Sequence, residues 1–346
     1  MPINYGMANL SHYSYVATVV AYALAALAFA CDFAFGRDLL KTPAPAGEPA
    51  PGLVAVGAAA KTGTVAAGGG TAAPAGGPGT PAGPGQQRAA RPVNGWVRVA
   101  LALTAAGLAA HILGVVSRGL AVHRLPWGDM YEFVTTVTCV AVIFFFGLML
   151  RYRAWRLGLF VLGPVVVLLG LAETVIYTPA GQLPPALMSY WLGIHVTSIT
   201  LATGAFVVAT LFTIVYLLAD RHARRVAAGL PTRAEAVFRA LPAAQVIDRL
   251  AYRTVLFGFP LWTFGIIAGA IWADEAWGRY WGWDPTETWA FITWVVYAGY
   301  LHARATAGWR GRRAAYIQLA GFACLIFNTV VVSILIKGLH SYAGLS

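Results

Sequence analysis

Apolar runs long enough to cross a bilayer recur along this chain, and the polar residues gather between them. The first covers roughly residues 14–35. Seven more cover roughly 96–116, 133–150, 157–176, 191–218, 254–273, 286–304 and 314–336. A spanning helix needs about 20 predominantly apolar residues, and each run is of that order. The pattern predicts an all-α polytopic integral membrane protein with about eight transmembrane helices. No Lys or Arg precedes the first run, and the n-region of a cleaved leader needs them. That run reads as a retained helix, residues 1–35.

Residues 36–95 have a different texture. They are rich in Pro, Ala and Gly and show no period. Such a segment cannot bury enough apolar surface to offset its ordering entropy, so a disordered cytoplasmic loop is expected. Residues 96–346 then form a seven-helix core. Within it, Gly265 and Gly269 make a G-x-x-x-G that favours close helix approach. Residues 233–253 pattern as an amphipathic interfacial helix, with Val246, Ile247 and Leu250 on one side.

Composition supports the class. Hydrophobic residues make up 59% and charged residues 11%, and mean hydropathy is +0.67. Soluble domains carry about 25% charged residues. The net charge of +11 is distributed unevenly: alternate loops hold 19 of the Lys and Arg residues, and the loops between them hold 4. Positive loops stay cytoplasmic, so both termini and residues 277–289 are expected on the outer face. The lipid bilayer explains the charge without a nucleic-acid partner. Cys31, Cys139 and Cys324 lie in apolar spans without a C-x-x-C and read as small buried hydrophobes.

Residues 277–289 read WGRYWGWDPTETW, and with Trp272 and Trp294 they hold half of the twelve tryptophans. An ordinary aromatic belt accounts for a few indoles at an interface. It does not account for this density together with Gly278 and Gly282, which let a backbone approach a surface closely. Trp277, Trp281, Trp283 and Trp289 offer a stacking surface for a planar apolar ligand. Asp284, Pro285 and Glu287 have a structural reading of their own, as N-cap, N1 and N3 of the next helix.

Histidines complete the candidate chemistry. His12, His123 and His222 fall at the N-terminus or in loops and read as solvated. His111 lies within a span, where a direct role and a bond to a neighbouring helix both stand open. His195 begins the fifth span and His340 follows the eighth, so both reach the tryptophan face. Two imidazoles about an aromatic platform suit the axial positions of a haem iron. His302 lies 17 residues after Pro285, about 25 Å along a helix, and cannot share a small ligand with the other two. Val295, Ala298 and Gly299 precede it on the same face and leave room for a flat group. A ligand role and a hydrogen-bonded interfacial role remain open for it.

The tryptophan segment closely resembles the WWD signature of the haem-handling proteins of cytochrome c maturation. The Arg124–Phe133 stretch before span three, Gly258–Phe259–Pro260 and the C-terminal GLHSYA resemble the CcsA/ResC family, also called CcsB, over residues 96–346. Asp129 stands where many relatives are expected to carry Asn. The resemblance implies that His195 and His340 ligate haem b iron beside Trp277, Gly278, Trp281, Gly282, Trp283, Asp284 and Trp289. It implies that His302 serves an inner haem site during export. It further implies covalent attachment of haem to the CxxCH motif of apocytochrome c in system II, with a ResB/Ccs1-type membrane partner and, indirectly, a thioredoxin-like thiol reductant. The expected setting is a bacterial plasma (inner) membrane. On the residues alone, an exporter that hands haem to a separate ligase fits equally well. A solute transporter of another kind would show internal repeats and intramembrane acids. The acids within the spans are Asp32, Glu173 and Glu287, each near a span end, and no repeat is evident.

Overall fold

The computed structural model describes residues 2–35, 94–181, 187–232, 235–306 and 308–340. Of the expected loop, residues 36–93 lie outside the described residues. Its last two residues are already helical in function: Asn94 caps and Gly95 starts the second helix.

The long helices are α1 (Tyr5–Phe35), α2 (Gly95–Val122), α3 (Met130–Tyr152), α4 (Gly158–Thr174), α5 (Tyr190–Ala227), α7 (Ala244–Trp277), α8 (Pro285–Ala305) and α9 (Arg312–Ile326). A short α6 (Glu235–Ala240) precedes α7, and α9 runs on through a π-helical stretch, Phe327–Val332, into one further turn, α10 (Ser333–Leu335). Among the described residues there is no strand. A chain in lipid must satisfy its own backbone, which helices do internally.

Among the described residues, seven helices are long and apolar enough to cross a membrane. The expected eighth, α8, has 21 residues but falls short on apolarity. It carries Thr286, Glu287, Thr288, Thr293, His302 and Arg304 among its aromatics, and it packs against α7 and α9. The amphipathic segment expected over 233–253 divides instead. Leu241–Ala243 interrupt it at Pro242, and Val246, Ile247 and Leu250 belong to the first turns of the 34-residue α7.

Small residues set the closest approaches. An added Cβ at Gly107 would meet Tyr22 at 2.6 Å, one at Gly204 would meet Val140 at 2.5 Å, and one at Gly265 would meet Ile199 at 2.6 Å. These seat α2 on α1, α5 on α3, and α7 on α5. The core there includes Phe206 stacked on Tyr297 with ring centroids 4.0 Å apart.

Each end of the bundle is tied by buried charge. At the arginine-rich end Arg304 makes a bidentate pair with Asp248, at 2.8 and 2.9 Å, joining α8 to α7. Asp32 of α1 is bonded by Asn94 and, at 3.1 Å, by Arg156. At the tryptophan end the fully buried Glu132 accepts from Arg118 at 2.8 Å, Arg124 at 2.6 Å and the Gly128 N–H at 2.7 Å. That knot pins the 123–129 turn to α2 and α3.

Candidate functional site

Local signals set the frame of the site. Ser189 caps α5, accepting from the Trp191 N–H at 3.1 Å, so His195 sits in the second turn. Gly278 ends α7 in the left-handed region, φ 70°, with its N–H on Asp274 O. The expected capping box at α8 is present in full: Asp284 and Glu287 exchange their bonds, and Pro285 stands at N1. Glu287 also accepts from the Gly282 N–H at 2.9 Å, which folds the tryptophan loop back onto the helix start.

His195 is seated on α7 by the two glycines. Its Nδ1 lies 2.8 Å from the Gly265 carbonyl. A carbonyl only accepts, so Nδ1 carries the proton and Nε2 keeps the lone pair. An added Cβ at Gly269 would meet His195 Nδ1 at 2.6 Å. The G-x-x-x-G therefore does more than bring helices together; it makes the slot for this imidazole.

His340 is held by Asp284. Its Nδ1 donates to Asp284 Oδ2 at 2.8 Å, while Oδ1 accepts from the Leu339 N–H at 2.8 Å. Gly338 packs so closely that an added Cβ would meet Oδ1 at 2.7 Å. Burial raises the Asp284 pKa, but the Leu339 N–H and His340 outweigh it, and the net direction is downward. A carboxylate that fixes the tautomer of a ligating histidine is a common outer support of metal sites. Asp284 thus has two roles at once, helix cap and histidine holder, and only the first was legible from the sequence.

Trp272 links the two histidines. It is almost fully buried. His195 stacks on it with centroids 6.2 Å apart and an interplanar angle of 13°, and His340 meets it edge-on at 5.9 Å. Trp277 packs against both Trp272, at 4.8 Å, and His340, at 5.0 Å. Two chambers flank this group, of about 80 and 200 Å³, and both are walled by His195, Ile199, Trp272, Thr286 and His340. Trp281 lines the smaller chamber; Trp127 and Asp129 line the larger.

The remaining predicted residues stand farther out. Trp283 is 64% exposed at φ 58° and meets Trp281 edge-on at 5.6 Å. Trp289 faces Phe327, with centroids 4.3 Å apart. Gly278 has open space at its Cβ position, and Gly282 lies beneath the Arg279 side chain. Both glycines have a backbone or packing reason here. His302 is exposed, near the arginine-rich end, on a stripe of α8 with Phe291, Val295 and Gly299. Among the described residues its ring has no hydrogen-bond partner. His111, in contrast, is buried between Thr135 O at 3.0 Å and the Tyr22 hydroxyl at 3.4 Å, which uses both ring nitrogens. It ties α2 to α1 and α3.

Among the described residues, no three His, Cys, Asp or Glu side chains converge as a metal cluster. A pair of nitrogen donors framed by indoles fits a metal whose other positions are filled by a flat macrocycle.

The profile of a family described as "Cytochrome C assembly protein" matches residues 100–340, which contain every residue of this site. The chain belongs to that family. The cytochrome c biogenesis protein CcsA of Guillardia theta is 38% identical over 243 residues, covering 64% of this chain and 77% of that one. CcsA of Gloeobacter violaceus (strain ATCC 29082 / PCC 7421) is 33% identical over 279 residues, covering 67% and 82%. Among solved structures, "Cytochrome c Heme Lyase CcmF" aligns at TM-score 0.59 and 14% identity, over 95% of this chain and 47% of that one. That likeness is one of fold, and this chain spans about half of the larger protein. As a cytochrome c assembly protein of the CcsA kind, the chain has a role in cytochrome c maturation. Trp272, Gly265 and Gly269 are the site residues that sequence reasoning left out. Their signal was spacing: Gly265 and Gly269 are one turn apart on α7, as His195 and Ile199 are on α5.

Proposed function

We propose that this chain holds haem b at the tryptophan end of its bundle and presents it for thioether formation at the CxxCH of an apocytochrome c. The observation that carries the reading is the pair His195 and His340, each with Nδ1 engaged and each packed against Trp272. Trp277, Trp281 and the exposed Trp283 supply the flat surface beside them. The loop asymmetry supports an outer position for this end, and the reading takes the membrane to be a bacterial plasma membrane. It includes the system II setting, a ResB/Ccs1-type partner and an indirect thiol reductant, which the resemblance to the CcsA/ResC family implies. CcmF, named as a haem lyase, shares the fold and supports the same kind of role.

The substrate brings the reactive groups. A cysteine S–H adds across a vinyl C=C: a C–S bond forms, the proton ends on the other vinyl carbon, and no oxidant is needed. What the chain contributes is position. Effective molarities of well-oriented reactions correspond to about 7–11 kcal/mol. His195 and His340 hold the iron, and the indoles keep the vinyl edge turned outward. The histidine of CxxCH then replaces one of the two, and product leaves. His302 belongs to a second, inner station. Its other ligand comes from the partner; among the described residues the His302 ring has no hydrogen-bond partner.

The test is reconstitution of the purified complex with haem and a CxxCH apocytochrome peptide. Thioether product that vanishes in His195→Ala and His340→Ala supports the reading. Haem transfer to the peptide without any covalent bond would show an exporter serving a separate ligase. Normal product from both variants would rule the site out.

A further inference from the structure

A further cavity at the tryptophan end lies under the 123–129 turn. It is about 400 Å³, and it shares Trp127, Leu187, Leu192 and Val196 with the 200 Å³ chamber walled by His195 and His340. The wall is mostly apolar, with His123 and Arg124 beside it. Two wall residues carry buried N–H donors that meet no acceptor among the described residues: Trp127 Nε1 and Arg124 Nε. A buried donor left without a partner is rare and marks the place of a missing water or ligand. Two in one wall call for an acceptor with more than one oxygen.

Among the described residues, the neighbours do not supply it. The terminal nitrogens of Arg124 are committed to Glu132, Leu125 O and Gly181 O, so they fix the turn rather than reach the orphan indole. Asp129, the acid nearest in sequence, gives one oxygen to the Glu132 N–H at 2.8 Å and turns the other to Arg118 at 3.6 Å. The net local need is for an oxygen acceptor, and the adjoining Arg and exposed His123 favour an anionic one.

We propose that this cavity is a carboxylate-binding site that takes the propionate edge of the haem whose iron His195 and His340 hold. This rests on the function proposed above. Trp127 Nε1 donates to a propionate oxygen, and Arg124 stands behind it with its charge. The apolar remainder accommodates the edge of the macrocycle, while the shared wall connects the iron site to the acid site. The Glu132 knot then acquires a purpose beyond stability, since it fixes the turn that carries both donors.

The experiment uses the full chain in complex with its partner, titrated with haem and with haem dimethyl ester, which lacks the free acids. The wild type should prefer the free acid about tenfold, the worth of one hydrogen bond to a charged group. Trp127→Phe keeps the ring and removes the N–H. It should bring the two affinities within about twofold, with the free acid losing far more than the ester; a two-histidine spectrum in the variant shows that it is folded. Full acid preference in Trp127→Phe would overturn the site. Weaker binding of an apocytochrome peptide, with the acid preference intact, would assign the carboxylate to the peptide and overturn the haem assignment. Absence of a two-histidine spectrum with either ligand in the wild type would instead sink the reading of His195 and His340, and this one with it.

Discussion

The two ends of this molecule treat histidine differently. At the tryptophan end, His195 and His340 come from segments 145 residues apart and are clamped by this chain alone, through Gly265 O and Asp284. Towards the arginine-rich end, His302 stands on an open face of α8, one turn from a glycine whose Cβ position meets nothing within 4 Å. A lone ionisable side chain within a spanning helix is costly and a candidate for a functional contact. On the function proposed above, the difference is that between a haem site this chain owns and one it shares.

The comparison breaks most visibly at the ligands. His195→Ala or His340→Ala should each lower cytochrome c maturation in cells by about 100-fold or more, beyond the 10–100-fold typical of outer supports. His302→Ala should lower inner-site haem only in the complex, leaving the isolated chain's spectrum unchanged. Haem content of chain and complex, measured side by side, checks this.

Next comes the holder. Asp284→Asn keeps the helix cap and weakens the grip on His340, so haem affinity should fall about 10–100-fold. The pH dependence has a fixed sign. Asp284 titrates below its ordinary value of 3.8, so its contribution is present above the ordinary range and is lost as pH falls through the lowered one. Haem retention on an acid titration should therefore drop at low pH in the wild type, and Asp284→Asn should flatten that drop.

The glycines sharpen the contrast further. Gly269→Ala pushes on the His195 ring and should cost about 1–3 kcal/mol of packing strain, with a perturbed haem spectrum. Gly299→Ala has space around it and replaces a helical glycine, so the isolated chain should gain up to about 1 kcal/mol. In the complex the same methyl should reduce inner-site haem. Thermal melts and haem content together separate the two effects.

The smallest effect concerns Asp129. Burial, and then the neighbouring Glu132, raise its pKa from 3.8 to about 6. Its folded pKa lies above the unfolded one, so stability falls as pH rises through about 6, and the cost is absent below the ordinary range. Asn keeps the N-cap without the charge. Asp129→Asn should stabilise the chain at pH 8 by on the order of 1 kcal/mol and leave it unchanged at acid pH. A melt at each pH decides it.

Much of this was readable in the chain. Apolar runs gave the helices, because a span must satisfy its backbone within itself, and Asp284-Pro285-Thr286-Glu287 announced its capping box in the four residues alone. What escaped depended on contacts across the bundle. Nothing local to Asp284 says that Leu339 and His340 return to it. Nothing local to Gly269 says that an imidazole lies where its side chain would be. Trp283 and Trp289 looked equivalent to Trp277 and Trp281 in the motif. A left-handed backbone leaves the Trp283 indole exposed, and Trp289 packs against Phe327. The α8 helix escaped a purely apolar criterion for a related reason: its polar groups are engaged with α7 and the tryptophan loop.

The central claim is that the tryptophan-end site is complete within this chain. The most direct measurement is the low-temperature absorption and electron paramagnetic resonance of the purified chain, without partner, loaded with haem. The account predicts a low-spin signal with two histidine ligands in the wild type, converted to five-coordinate haem by either His195→Ala or His340→Ala and untouched by His302→Ala. A chain that holds no haem until the partner is added, or that keeps the two-histidine signal in both alanine variants, would contradict it.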